Sequence, residues 1–477
     1  MVYDVVIIGA GVIGGAVARE LAKYKLKTLL LEKESDVAIG ASRANSGIVH
    51  GGFDPEPDTL KAKLNILGVE KLFEASKELH FPIKRNGSFV CAFSEEERAH
   101  ITELYERGIQ NGVPGMRIIS GDEARKIEPE LSKEIVEVLE VTNAGIVCPY
   151  ELTMALIGNA MDNGVALKTE FEVEKIDKNG TTFTLTSKKG ETVEANWVIN
   201  CAGAGSGKIS ALVGDDRFEI IPRAGEYILL DKDEGKRVSH TIFQCPTKEG
   251  KGILVSPTVD GNLLTGPTAN KVDSAENTET TIDGLATVMK FSKKSVPSIN
   301  FRNSITSFTG VRSSEKSGDF IIEASKKTEG FINVGAIDSP GLSSCLAIAE
   351  YVADILKNEG VKLEQNPDFD PNRANPHAFR EMSDDEQNEF IKQNPEYGKI
   401  VCRCETVSEG EIRAAIRRNP PATDLDGVKR RTRSGMGRCQ GGFCAPYVMQ
   451  LIAKERGIKK EEVTKKGSGS YMVIEKL

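Results

Sequence analysis

No stretch of this chain is long and apolar enough to cross a bilayer. The segment 341–356 comes nearest, but Glu350 and Asp354 interrupt it, and it falls short of the roughly 20 residues a span needs. Positive charge is in deficit, with 62 Lys and Arg against 70 Asp and Glu and a net charge of −8, which argues against a nucleic-acid surface. The opening Met1-Val-Tyr-Asp runs directly into Val5-Val-Ile-Ile with no basic segment before an apolar one, so simple export is not expected. The expectation is a cytoplasmic protein, attached to a membrane only through a partner. Cysteine is sparse and odd in number. Of nine, Cys91, Cys148, Cys201, Cys245 and Cys345 stand isolated and read as small buried apolar residues rather than disulfide partners.

What is present is a soluble globular composition, 39% hydrophobic and 28% charged, over 477 residues, which suggests two or three domains. The 46 glycines exceed the usual share of about 7% and point to many close backbone approaches. The first 35 residues read strand, turn, helix, strand: Asp4 to Ile8, then Gly9-Ala-Gly11-Val-Ile13-Gly14, then Ala16 to Tyr24, then Thr28 to Leu31. In such a unit Gly9 makes the turn, Gly11 admits a pyrophosphate and Gly14 lets helix and strand pack closely. The diphosphate then lies on the helix N-terminus, and Glu32 accepts hydrogen bonds from ribose hydroxyls.

Further along, Thr59 to Leu79 has helical spacing, Asn86 to Phe93 reads as a strand, and Ser94 with Glu97 reads as a capping box opening a helix to Asn111. Residues 170–176, 183–187 and 192–195 look like a meander. Trp197 begins a buried strand ending in Ala202-Gly203. Most of 218–308 alternates like strands, 330–335 is another strand, and a helix runs from Gly341 to about Lys357. Four prolines and few apolar residues mark 361–398 as a linker with one short helix at 383–393. The chain closes on a flexible Gly467-Ser-Gly-Ser step and a terminal strand, Tyr471-Met-Val-Ile.

The segment Gly40-Ala-Ser42-Arg43-Ala-Asn45-Ser46-Gly47-Ile-Val-His50, together with Asn200-Cys-Ala202-Gly203 and Gly335-Ala-Ile-Asp-Ser-Pro-Gly341-Leu342, resembles the FAD-dependent oxidoreductases of the D-amino-acid-oxidase superfamily. That resemblance implies a glutathione-reductase-type, Rossmann-like α/β domain with an α+β antiparallel-sheet substrate domain. The FAD-binding parts would be 1–80, 145–215 and 330–360, and the substrate domain 81–144 and 216–329. It also implies that Glu32 and Lys33 meet the adenosine ribose, that Ile13, Ser42, Arg43 and Ser46 lie along the cofactor, and that Val173 meets adenine. Ala202, Gly203, Gly310, Leu342 and Ser343 complete the cofactor set. The helix opening at Gly341 would point its positive end at the flavin C2 carbonyl.

Near the C-terminus, Cys402-Arg-Cys404 is followed by Cys439-Gln-Gly-Gly-Phe-Cys444, a C-x-C and C-x4-C arrangement. Four thiolates can hold one [2Fe–2S] cluster or a zinc ion. The run from Lys429 to Gly441 resembles the bacterioferritin-associated-ferredoxin-like [2Fe–2S] domain, which implies a small helical domain over 399–477 with these four cysteines as ligands. Ser408 and Glu411 read as a capping box after the first pair.

The two-domain arrangement resembles the large subunits of anaerobic glycerol-3-phosphate dehydrogenases, strongest at Arg43 to Gly51, at Ser307-Phe-Thr-Gly310-Val-Arg312 and through the cysteine domain. It implies that His50 takes a hydroxyl proton, that Arg312 clamps an anionic group, and that Tyr227 and Arg223 face the ring. A histidine merely packed on glycines and an interdomain arginine ion pair are the plainer readings of His50 and Arg312. The version Gly335 to Ser344, with Arg223-Ala-Gly-Glu-Tyr227, is closer to L-2-hydroxyglutarate dehydrogenases, so a 2-hydroxy or amino acid stays open as substrate. Implied partners are a small anionic substrate and a second redox subunit taking electrons. A non-catalytic electron-transfer subunit stays open, as does the oligomeric state.

Overall fold

The structure is a computed structural model in which residues 1–246 and 252–473 are described. The apolar run of Val2–Ile8 forms the centre of an eight-stranded sheet. It pairs in parallel with Thr28–Leu31 on one side and Thr192–Asn200 on the other. Ala166–Lys168 extends the sheet beyond Thr28–Leu31, and Phe331–Gly335 joins it along Thr192–Asn200. Such parallel strands are buried on both faces, and Val5, Val6 and Ile7 are wholly buried here. Helices Val12–Ala22, Pro149–Asp162 and Gly341–Asn358 cover one face. Phe171, Phe183 and Phe331 fill the other.

The third meander strand and the buried Trp197 strand are one element, Thr192–Asn200. On one edge its first half pairs antiparallel with Thr182–Ser187 and its last residues parallel with Phe331–Gly335, while Val2–Ile8 runs parallel along the other edge. The change from alternating to continuous apolar residues along it records that change of neighbours.

A second sheet of nine strands is antiparallel except where Thr241–Gln244 runs parallel to Ser88–Ala92. Its longest pairing joins Ile221–Leu230 to Ser304–Ser314. Within the stretch read as strands lies a helix, Ile282–Ser295, capped by Thr281 Oγ1 accepting from Gly284 N. Ser94 caps its helix as expected, but the box is half-formed, because Glu97 Oε2 accepts from Phe93 N (2.6 Å) rather than from Ser94 N.

Residues 361–398 run against the first sheet's helices. Lys25 N donates to Glu364 O (2.8 Å), Asn159 Nδ2 to Asp370 O (3.0 Å) and Arg373 N to Glu78 O (3.0 Å). The expected short helix there is Asp384–Gln393, with a full Ser383–Glu386 capping box, and one further turn of helix, Ala378–Glu381, precedes it. The C-terminal part has a two-strand hairpin and helices Glu409–Arg417, Leu425–Thr432 and Ala445–Arg456 around a core that includes Cys402 and Cys444. The Ser408–Glu411 box is complete. At the end of the chain Tyr471 makes a single bridge to Thr464 instead of a strand. Ile474, the last residue of the expected terminal strand, lies outside the described residues.

Candidate active site

A continuous cleft of about 2110 Å³ runs from the glycine turn of the first sheet to the face of the second. At its dinucleotide end Gly9 sits at φ +104°, where a Cβ would collide with the Cys201 carbonyl, and a Cβ on Gly14 would collide with the Gly9 carbonyl. Only glycine fits either position. Gly11 opens instead toward Ser42, whose Oγ accepts from Val12 N (2.9 Å) at the start of the helix. Glu32 follows the second strand. Its Oε2 accepts from Ala10 N (2.9 Å) and its Oε1 from Glu34 N (3.0 Å). Burial pushes its carboxyl above the ordinary range, more than these two bonds lower it. Ile13, Lys33, Arg43, Val173, Ala202 and Gly203 also line the cleft.

The other end gathers His50, Arg312, Tyr227, Arg223, Gly341 and Leu342 around one space. His50 N donates to Ser343 Oγ (2.8 Å) and its carbonyl accepts from Asn65 Nδ2 (2.8 Å), so the backbone is held on both sides. Its Nε2 lies 3.3 Å from Ser339 Oγ, and its ring centroid lies 5.9 Å from that of Phe243. Tyr227 stacks on Phe308 at 4.9 Å, and its hydroxyl is 3.2 Å from Ser46 Oγ. On the paired strands Arg223 is directly opposite Arg312, Gly225 opposite Gly310, and Tyr227 opposite Phe308. Of these, Arg223, Tyr227, Gly310 and Arg312 line the cleft.

Two residues expected to meet the cofactor make protein contacts of their own. Ser343 is wholly buried and does not line the cleft; its hydroxyl accepts from His50 N and donates to Ile48 O (3.3 Å). Gly310 does line it, but a Cβ there would collide with the Ala44 carbonyl, so its missing side chain lets the strand cross the 41–43 turn. Sequence reasoning missed Ser339, Asn65 and Phe243. Asn65 carried a signal, a wholly buried amide on an otherwise apolar helix face. A Lys61–Asp338 ion pair (2.6 Å) in the same wall was also missed.

The four clustered cysteines form two pairs. Cys404 and Cys439, the more exposed two, are 3.6 Å apart. Cys402 and Cys444 are buried and hydrogen-bonded to each other. The bond from Cys444 and backbone N–H groups of Gly435, Glu405 and Cys404 bring Cys402 down to about 5, and Cys444 rises in turn. Burial works to raise Cys439, but N–H groups of Phe443, Gly441 and Gly442 bring it below the usual thiol value. In each pair one sulfur, Cys402 or Cys439, is thus shifted toward the thiolate form that a metal ligand needs. The five isolated cysteines are all buried.

Residues 4–355 match the FAD dependent oxidoreductase family, which spans most of the chain. The chain belongs to that family. Residues 400–454 match the BFD-like [2Fe–2S] binding domain. A glycerol 3-phosphate dehydrogenase of Caloramator mitchellensis is 46% identical over 99% of this chain and 98% of its own length. A glycerol 3-phosphate oxidase of Mycoplasma genitalium is 35% identical, covering 77% of this chain and 97% of its own. The solved L-alpha-glycerophosphate oxidase of Mycoplasma pneumoniae with FAD bound superposes with a TM-score of 0.75 at 34% identity, over 78% of this chain and 98% of that one.

This FAD-dependent oxidoreductase has residues that fit both groups. At the dinucleotide end Gly9 and Gly14 let turn, strand and helix close up, Gly11 lines the cleft with no side chain to block a pyrophosphate, and Glu32 offers a carboxylate for ribose. The sulfurs of Cys404 and Cys439 stand close to the spacing of about 3.8 Å expected for two thiolates on one tetrahedral metal with bonds of about 2.3 Å. Two pairs, rather than one closed shell of four, suit a two-iron cluster better than a single zinc. Among the described residues no helix is long and apolar enough to cross a membrane.

Proposed function

We propose that this enzyme oxidises glycerol-3-phosphate to dihydroxyacetone phosphate and delivers the electrons one at a time to a partner protein. Bound FAD would supply the hydride acceptor at N5, and a [2Fe–2S] cluster the one-electron outlet. The observation carrying the substrate reading is the pair Arg223 and Arg312, opposed in register on the cleft face. Among the described residues neither forms an ion pair with a carboxylate, so both guanidinium groups are available to a doubly charged phosphate. The full-length relative named above acts on the same compound.

In this reading His50 accepts the proton of the secondary hydroxyl while the C–H hydride leaves the same carbon. Its backbone is fixed by Ser343 and Asn65, and Ser339 orients its Nε2. Tyr227, locked by Phe308 and Ser46, shapes the opposite wall and helps exclude water. The N-terminus of Gly341–Asn358 faces the cleft and favours negative charge there. Cys404 and Cys439 mark the exposed edge of the cluster site and so the side where a partner would take electrons.

Anaerobic titration with glycerol-3-phosphate tests this reading: bleaching of the flavin absorbance followed by bleaching of the cluster supports it. The second reading, L-2-hydroxyglutarate oxidation, is favoured by the Gly335 to Ser344 segment and by a human mitochondrial relative with that activity, 32% identical over 56% of this chain and 61% of its own. Bleaching by L-2-hydroxyglutarate alone would move the assignment there.

A further inference from the structure

The loop that leaves Glu32 is gripped at its far end by the C-terminal domain. Asp36, 4% exposed, accepts from Arg431 at both oxygens (2.7 and 2.8 Å) and from Arg430 Nη2 (2.5 Å). One residue earlier, Ser35 packs so closely on Gly467 that a Cβ there would collide with its side chain. These two contacts come from one unit. Leu425 N and Asp426 N, at the start of the helix that carries Arg430 and Arg431, donate to the carbonyls of Thr464 and Lys465 (3.2 and 2.9 Å). Lys465 Nζ also pairs with Asp426 (3.0 Å). The next residue, Lys466, lines the cleft, is exposed, and has no ion pair among the described residues. Its backbone is fixed by Lys466 N donating to Ser470 Oγ (2.8 Å). At the near end of the same loop, Glu32 is tied to Ala10 N and Glu34 N.

We propose that the C-terminal domain is part of the FAD site. It clamps the loop 32–36 through Asp36 and lends Lys466 as a cation to the adenosine-diphosphate end of the cleft. FAD binding and docking of the cluster domain then stabilise each other by the same factor, as linkage requires. Dianionic pyrophosphate is the chemistry that an otherwise unpaired lysine on a pinned turn would recognise. The coupling does not depend on which alcohol the enzyme oxidises.

The test uses the full chain, flavin-depleted and then titrated with FAD, ADP or FMN. Lys466→Ala is expected to weaken FAD and ADP alike by about two- to fivefold, the size of one screened ion contact. Lys466→Glu should weaken both further, and neither variant should change FMN binding or the cluster's electron paramagnetic resonance signal. Asp36→Asn is expected to weaken FAD by about tenfold or more, since it breaks a buried pair. Trypsin should cut the 361–398 segment faster in flavin-depleted wild type than in holoenzyme, and this difference should shrink in Asp36→Asn. Wild-type FAD and ADP affinity in both Lys466 variants overturns the cation role. Tryptic cleavage unaffected by FAD in the wild type overturns the coupling.

Discussion

Arg223 and Arg312 face each other across the antiparallel pair Ile221–Leu230 and Ser304–Ser314, two cations in register on the wall of the cleft. Like charges so placed repel, and an anion between them turns the cost into binding energy. Arg312→Ala should raise KM for glycerol-3-phosphate about 10- to 100-fold, from the roughly 1.5–3 kcal/mol of a charged hydrogen bond. Arg223→Ala should raise it less. The melting temperature of substrate-free protein should not fall in either variant. Steady-state kinetics and calorimetry check both statements.

His50→Asn tests the base. Loss of a positioned general base lowers kcat by about 10²- to 10⁴-fold. The asparagine keeps the backbone bonds to Ser343 and Asn65, so flavin content and melting temperature should hold. Full kcat in this variant would remove His50 from the chemistry.

Gly310→Ala tests the strand crossing. A methyl group aimed at the Ala44 carbonyl must push the 41–43 turn and its Ser42 and Arg43 away. Overpacking of this kind costs about 1–3 kcal/mol. The expected result is purified protein with sub-stoichiometric FAD and a lower melting temperature, read from absorbance and calorimetry.

Asp36 supplies a pH prediction. Burial works to raise its carboxyl, but the charges and hydrogen bonds of Arg431 and Arg430 bring it to about 2. Its folded value lies below the unfolded one near 3.9. Its contribution is therefore complete above about pH 4 and is lost as pH falls toward 2. The stability gap between wild type and Asp36→Asn, measured by denaturant unfolding, should be about 2 kcal/mol or more near neutrality and close as pH drops through that window.

Cys404→Ser and Cys402→Ser should each lower iron content. Substrate should still bleach the flavin in both, because the cleft is lined by neither cysteine. Reoxidation by one-electron acceptors should slow, which stopped-flow absorbance measures directly.

Much of this was legible because it is local. The strand, turn and helix around Gly9, Gly11 and Gly14, the acid at Glu32, the short helix after Ser383, the capping box at Ser408, and the four clustered cysteines all lie within short windows. What escaped is non-local. No window shows that Gly310 meets Ala44, that Ser343 reaches back 293 positions to His50 N, or that Arg223 opposes Arg312. Helix Pro149–Asp162 went unread although Pro149 stands at its first turn, because its flanks are apolar on nearly every side and hide the period. The pairing of Cys404 with Cys439, and not with its sequence neighbour Cys402, is likewise a product of the fold.

The grip on Asp36 bears on how such a chain could lose or exchange its C-terminal module. Arg433 makes a similar contact elsewhere, donating to Asp260 (2.6 Å) and Asn262 (3.1 Å) of the second sheet. Deleting residues 400–477 would strip these two carboxylates of the arginines that cover them, one beside the nucleotide loop and one beside a hairpin. Modularity in this enzyme is therefore conditional: a viable short form needs replacements at positions 36 and 260 before, or together with, the cut, and a graft from another lineage must bring its own arginines to the same two places.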